Sequence, residues 1–204
     1  MAATTESVVI IRFQQYSDAY QALSELRGLG ETLTSLQVRS AALVERKPDG
    51  TLRVPEQSDE IIGIGTTTGG LVGMVTGVLG GPLGVLLGFG TGALVGGMFD
   101  IERATGVDSA LALLSAQIPP GSTALIVDVV ESTAEPLDQL AARFHATIER
   151  QPAAQVAVEV EAAEAAAEAA QKEANRVLRE RKRAEVKAKI DEKVDAVKEK
   201  LRHG

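Results

Sequence analysis

Between Ile61 and Phe99 the chain carries no charged residue, and glycine returns through this stretch with a fixed step. Gly65, Gly69, Gly73, Gly77 and Gly81 are four apart, and Gly84, Gly88, Gly92 and Gly96 repeat that spacing after the break Gly80-Gly81-Pro82. A four-residue step aligns each set along one face of a helix. The glycine pair stops one helix, and the proline suits the first turn of the next. The pattern predicts a helical hairpin, one arm from about Asp59 to Leu79 and the other from about Pro82 to Met98. An interior glycine costs about 1 kcal/mol against alanine, so these nine would cost on the order of 9 kcal/mol in helices standing alone. Close backbone approach along a small-xxx-small face offsets that cost. Two such faces seal a hairpin, while Gly63, Gly70, Gly90 and Gly97 leave a second smooth face for neighbouring chains. Homo-oligomerisation is therefore expected, with Gly73, Gly77, Gly88 and Gly92 at the closest contacts.

Each arm is long enough for a bilayer, since about nineteen residues give roughly 28 Å of helix against a hydrocarbon thickness of about 30 Å. Three threonines and the glycines dilute the leucines and valines, and the flanks carry almost no positive-inside signal. The sequence reading favours a membrane-associated homo-oligomer on the cytoplasmic side of the inner membrane. Its alternative is a soluble cytoplasmic assembly. "MAATTESVVIIRF" has no basic region, apolar run and cleavage site of a secretory signal, so no export is expected.

On either side of the glycine block the chain repeats a strand-helix-strand pattern. "SVVIIRF" is a β-branched strand, followed by a helix from the cap Ser17 or Asp18 to the glycines at 28 and 30, with Tyr20, Leu23, Leu26 and Leu29 as its apolar stripe. "LQVRSAALV" and the turn Lys47-Pro48-Asp49-Gly50 predict a hairpin. Beyond the block, "DSALALLSAQIPPG" reads as a short helix, "STALIVDVVE" as a buried strand, "EPLDQLAARFHA" as a helix with Pro136 in its first turn, and "ATIERQ" as a returning strand. Two such units predict an α+β, split ferredoxin-like sandwich with the hairpin inserted between its halves. The expected organisation is 1–58 for the first half, 59–99 for the hairpin, 100–151 for the second half and 152–204 for a long charged helix.

That last segment is rich in Ala, Glu, Lys and Arg, and about fifty helical residues would span about 75 Å. Ile190, Val194, Val197 and Leu201 are spaced 4-3-4, which predicts pairing with another helix. Glutamates come first (Glu159, Glu161, Glu164, Glu168), and bases follow at Arg176, Arg179, Arg181, Lys182, Arg183, Lys187 and Lys189. This order suits the helix dipole of a solvated helix, and it also offers Arg176, Arg179, Arg181, Lys182 and Arg183 to an anionic lipid or an acidic protein partner. Nucleic acid is the weakest of these partners, because the 204-residue chain has a formal net charge of −7.

No catalytic constellation stands out, and no cofactor is expected. With no cysteine and two histidines, His145 and His203, thiolate chemistry is excluded and neither histidine has companions at metal-ligand spacing. "GFGTGA" fits G-x-G-x-x-A with Asp108 about twenty residues on, the pattern of a dinucleotide loop. The glycine period runs straight through this match, which a helix seam needs and a phosphate loop does not. Asp59 and Glu60 read as helix-start residues, and Met74 and Met98 as packing residues.

Taken together, "VVIIRFQQYSDAYQALSEL", "AALVERKPDGTLRV", the glycine hairpin and "IPPGSTALIVDVVE" resemble an uncharacterised bacterial family of predicted membrane proteins of unknown function. The likeness covers about Ser7 to Arg150. Some members are loosely called histidine kinases, yet this sequence has neither a phosphoacceptor context around His145 nor ATP-binding boxes. The resemblance implies the split ferredoxin-like fold and a membrane tendency, and no mechanism.

Overall fold

The computed structural model describes residues 3–49, 51–55, 62–63, 70–80 and 109–202, with side chains in the last helix as far as Lys187 except Ala184. The second hairpin arm, "GFGTGA" and His203 lie outside the described residues. Two compact units are present, Met1–Glu164 and Ala165–Gly204.

The first unit is built on strands β1 (Thr5–Phe13), β2 (Leu36–Arg46), β3 (Leu52–Arg53), β4 (Ile62–Gly63), β5 (Thr123–Glu131) and β6 (Thr147–Pro152). Their order is β3-β2-β5-β1-β6, with β4 also paired to β2. Every pairing is antiparallel. β1 and β2 therefore run parallel with β5 between them, and β5 and β6 run parallel with β1 between them. Helix α1 (Tyr16–Thr32) makes the first crossover and α4 (Glu135–Arg143) the second. This interleaving of two βαβ units is the split ferredoxin-like arrangement.

Continuous apolar runs in β1 and β5 reflect burial on both faces. Val9, Ile11, Leu125, Val127 and Val129 point to a core shared with α1 and α4. Val8, Ile10, Ala124 and Ile126 point to the opposite core. There the cover comes from α2 (Leu71–Gly80), α3 (Ala110–Ala116) and the first turns of α5 (Ala153–Arg202). Ala153, Val156, Val160 and Ala163 supply the α5 contribution, so the start of the long helix belongs to the first unit's core.

Several boundaries differ from the sequence reading. α1 begins at Tyr16 with Gln15 as an uncapped N-cap, and it runs through Gly28 and Gly30 to Thr32. Packing decides both points: Ala19, Ala22, Leu23 and Leu26 face the sheet, whereas Tyr20 is 43% exposed. A Cβ on Gly30 would meet Val38 Cγ2 at 3.1 Å, so glycine serves close helix-strand approach there and not helix termination. Gly121 does serve a turn, at φ +81°, and its N–H bonds to Arg46 O at 2.7 Å.

The largest correction concerns the first hairpin arm. Ile62–Gly63 is a strand paired with Ser40 and Ala41, and helix begins only at Leu71. Free backbone groups on the β2 edge compete with helix at Ile62–Gly63, where the glycine also has low helix propensity. Val72, Val75, Val78 and Leu79 are then 0–3% exposed against the sheet. At the far end of α2 a Cβ on Gly80 would overlap the Leu52 side chain and lie 3.2 Å from Leu52 O. Glycine lets α2 close onto β3.

Because Leu79 sits in the core of the α/β unit, Leu79→Ala should lower its unfolding free energy by about 2–5 kcal/mol. Urea denaturation followed by circular dichroism reads this directly. An unchanged midpoint would mean that α2 does not belong to the folded unit.

Candidate assembly surfaces

α2 presents two unlike sides. Its valines and Leu79 are committed to the sheet, while Gly77 is exposed and a Cβ there would meet nothing within 4 Å. Gly73 lies one turn earlier and is half-buried. Of the expected helix-packing glycines, Gly73 and Gly77 are thus placed on one described helix. Gly65, Gly69, Gly81, Gly84, Gly88, Gly92 and Gly96 lie outside the described residues, as do Gly90 and Gly97.

Near the start of α2 the sheet carries a polar group that hydrophobic patterning does not flag. Asp128, on central strand β5, is 7% exposed and pairs in register with Ser40 of β2 and Val8 of β1. Its Oδ1 and the Ser40 Oγ are buried without a hydrogen-bond partner. A bulge between Val38 and Ser40 turns Arg39 outward, where its guanidinium holds Glu6 in a two-pronged pair at 2.6 and 3.0 Å. Burial pushes the Asp128 carboxyl up, and Glu6 adds to that, against the pull of Arg39.

Arg46 is a second buried polar group, 4% exposed. Its Nη2 donates to Ser115 Oγ at 3.1 Å and Nη1 reaches Ser115 O at 3.5 Å, in the last turn of α3 where the helix dipole favours a cation. Nε has no partner, and burial lowers the guanidinium's pKa.

α5 is locked to α3 by one carboxylate. Glu159 accepts from Ala110 N at 2.9 Å, Leu111 N at 2.9 Å and Ser109 Oγ at 2.7 Å, and from Gln155 Nε2 at 3.1 Å. Ser109 itself caps α3 by accepting from Ala112 N. Burial opposes the charge on Glu159, but the bonds from Leu111, Ser109, Ala110 and Gln155 outweigh it and hold the carboxyl below its ordinary value. In the sequence Glu159 reads as the first of a run of solvated glutamates. Only the fold brings α3 to it.

In the second unit Arg176, Arg179, Arg181, Lys182 and Arg183 are all exposed. Arg176 pairs along the helix with Glu173 at 2.7 Å and Glu180 at 4.0 Å. Ile190, Val194, Val197 and Leu201 lie on α5, with side chains outside the described residues. His145 follows α4 at φ +49° and lines a shallow cleft with Arg12, Phe13 and Thr147. Among the described residues no group of His, Asp or Glu could hold a metal, and no helix is long and apolar enough to cross a membrane.

Protein-family models, curated proteins and solved structures were all compared with this chain, and none matches it.

Two pH-linked outcomes follow from the half-buried Glu159 and the buried Asp128. Glu159, with its folded pKa depressed, contributes stability present above about pH 4.3 and lost as pH falls through the folded value. Glu159→Ala should cost on the order of 2 kcal/mol at pH 7, and less in strong acid, in paired denaturant titrations. Asp128 behaves oppositely: its raised pKa favours the neutral form, so its contribution is complete below about pH 3.9 and is lost as pH rises through the folded value. Asp128→Asn should therefore raise the melting temperature at pH 7 and leave it nearly unchanged near pH 3.

Proposed function

We propose that this chain is a non-enzymatic structural protein that self-assembles into a homo-oligomer. One contact is the glycine side of α2, and a further contact is made by the charged helix α5. The observation that carries this reading is the division of labour on α2. Its branched apolar residues close the sheet, and Gly77 faces open space at a position where glycine costs helix stability and serves no contact within the described unit. A bare backbone on an exposed helix is suited to the approach of another helix.

The same observation favours a soluble scaffold over an assembly that spans a bilayer. Val72, Val75, Val78 and Leu79 cover one face of the sheet, so moving α2 into lipid would uncover Val8, Ile10 and Ile126. Hydrocarbon does not reward that exchange, since the side chains are already out of water. Adhesion to a membrane surface through the bases of α5 is compatible with this reading and is scored by vesicle flotation.

Replacing Gly77 by Leu tests the proposal. The new side chain has room in the isolated domain, so the fold should persist with equal or higher thermal stability. Light scattering should show a wild-type mass well above the 21.4 kDa chain and a clear fall in mass for the variant. A monomeric wild type, or a variant of unchanged mass, rejects assembly through this face.

A further inference from the structure

α5 is exposed around most of its surface beyond Ala163, and one of its faces changes composition halfway along. Ala162, Ala165 and Ala169 are spaced by three and four residues, and Lys172, Arg176 and Arg179 continue the same alternation. Positions at that spacing share one helix face. All six are exposed. The first three give room without charge, and the last three give length and charge without an apolar knob.

A parallel copy of the helix would stack base on base along this face. Reversal changes the match. With a two-fold axis between Ala170 and Gln171, Ala169 faces Lys172 of the second copy, Ala165 faces Arg176, and Ala162 faces Arg179. Each long aliphatic stem then crosses a methyl group, and its charged end emerges beside the glutamates that flank the alanines, Glu161 and Glu168. The existing ties on these bases are weak competitors. Lys172–Glu168 at 2.6 Å and Arg176–Glu173 at 2.7 Å are exposed pairs within one helix, a class worth at most about 0.5 kcal/mol each.

We propose that α5 pairs antiparallel with α5 of a second copy of this chain, over residues 162–179, through alanine-against-base layers edged by glutamate. This rests on the homo-oligomer reading and names a contact separate from the glycine side of α2. It also assigns the basic stretch a protein surface, the acidic half of the same helix, as its partner.

The chain has no cysteine, so single-cysteine variants of the full-length protein report the arrangement without background. Across the proposed axis, positions 169 and 172 lie close to their own counterparts, whereas position 183 is separated from its counterpart by about 38 Å along the helix. Under mild oxidation, Ala169→Cys and Lys172→Cys should form disulfide-linked dimers at least tenfold faster than Arg183→Cys. The same pattern should survive in a Gly77→Leu background, which separates this contact from the α2 contact. Equal cross-linking at all three positions indicates a parallel pair and overturns the proposal. Absence of cross-linking at all three, with helix content intact by circular dichroism, overturns it as well.

Discussion

Everything in the first unit depends on the pairing of β1 with β5, two strands that are apolar on both faces. Thr5 to Phe13 lies against Glu131 to Thr123 without a break, and Val8 to Ile11 and Ala124 to Val127 are fully buried. A strand pair of this kind cannot leave either face in water. Two βαβ units supply helices for one face only, because both crossovers place their helices, α1 and α4, on the same side. The other face needs cover from outside the repeat. That need explains why an insertion between the halves and a C-terminal extension are built into the same core.

The cover is held by few and specific contacts. α2 contributes valines and Leu79, and it can sit close to β3 because Gly80 has no side chain to meet Leu52. α5 contributes small residues, Ala153 and Ala163 among them, and its Glu159 closes the N-terminus of α3 with three hydrogen bonds while accepting a fourth from Gln155 of α5 itself. A half-buried carboxylate satisfied in this way fixes the register of α5 against α3 more narrowly than the alanine packing could. Asp128 is the opposite case, a buried carboxyl with an unpaired oxygen. It marks the place on the sheet where cover is polar and incomplete among the described residues.

Much of this architecture is legible in the sequence, for a physical reason. β-branched runs, proline-glycine turns and the threefold step of α1 are local signals, and the rhyme between Ser7–Gly30 and Ser122–Ala146 gives the topology. What stays hidden depends on contacts between distant segments. Ile62–Gly63 reads as helix because its neighbours are apolar and glycine-spaced, but the open edge of β2 captures it as a strand. The role of Gly80 depends on Leu52, and that of Glu159 on α3. Gly73 and Gly77 read as zipper positions and both lie on α2, whereas the other glycines of the expected seam lie outside the described residues. The charge segregation of α5 is plain in the sequence, yet its use depends on which residues the domain leaves exposed.

The central claim is that α2 is a structural part of the sheet's second layer and not an arm held ready for lipid. Native-state amide hydrogen exchange tests it most directly, since it resolves which segments open together. Amides of Val75 to Leu79 should exchange only through the global unfolding that releases β1 and β5, with equal protection in buffer and in the presence of vesicles. Exchange of these amides at far lower protection than β1, or protection gained only when lipid is added, would contradict it.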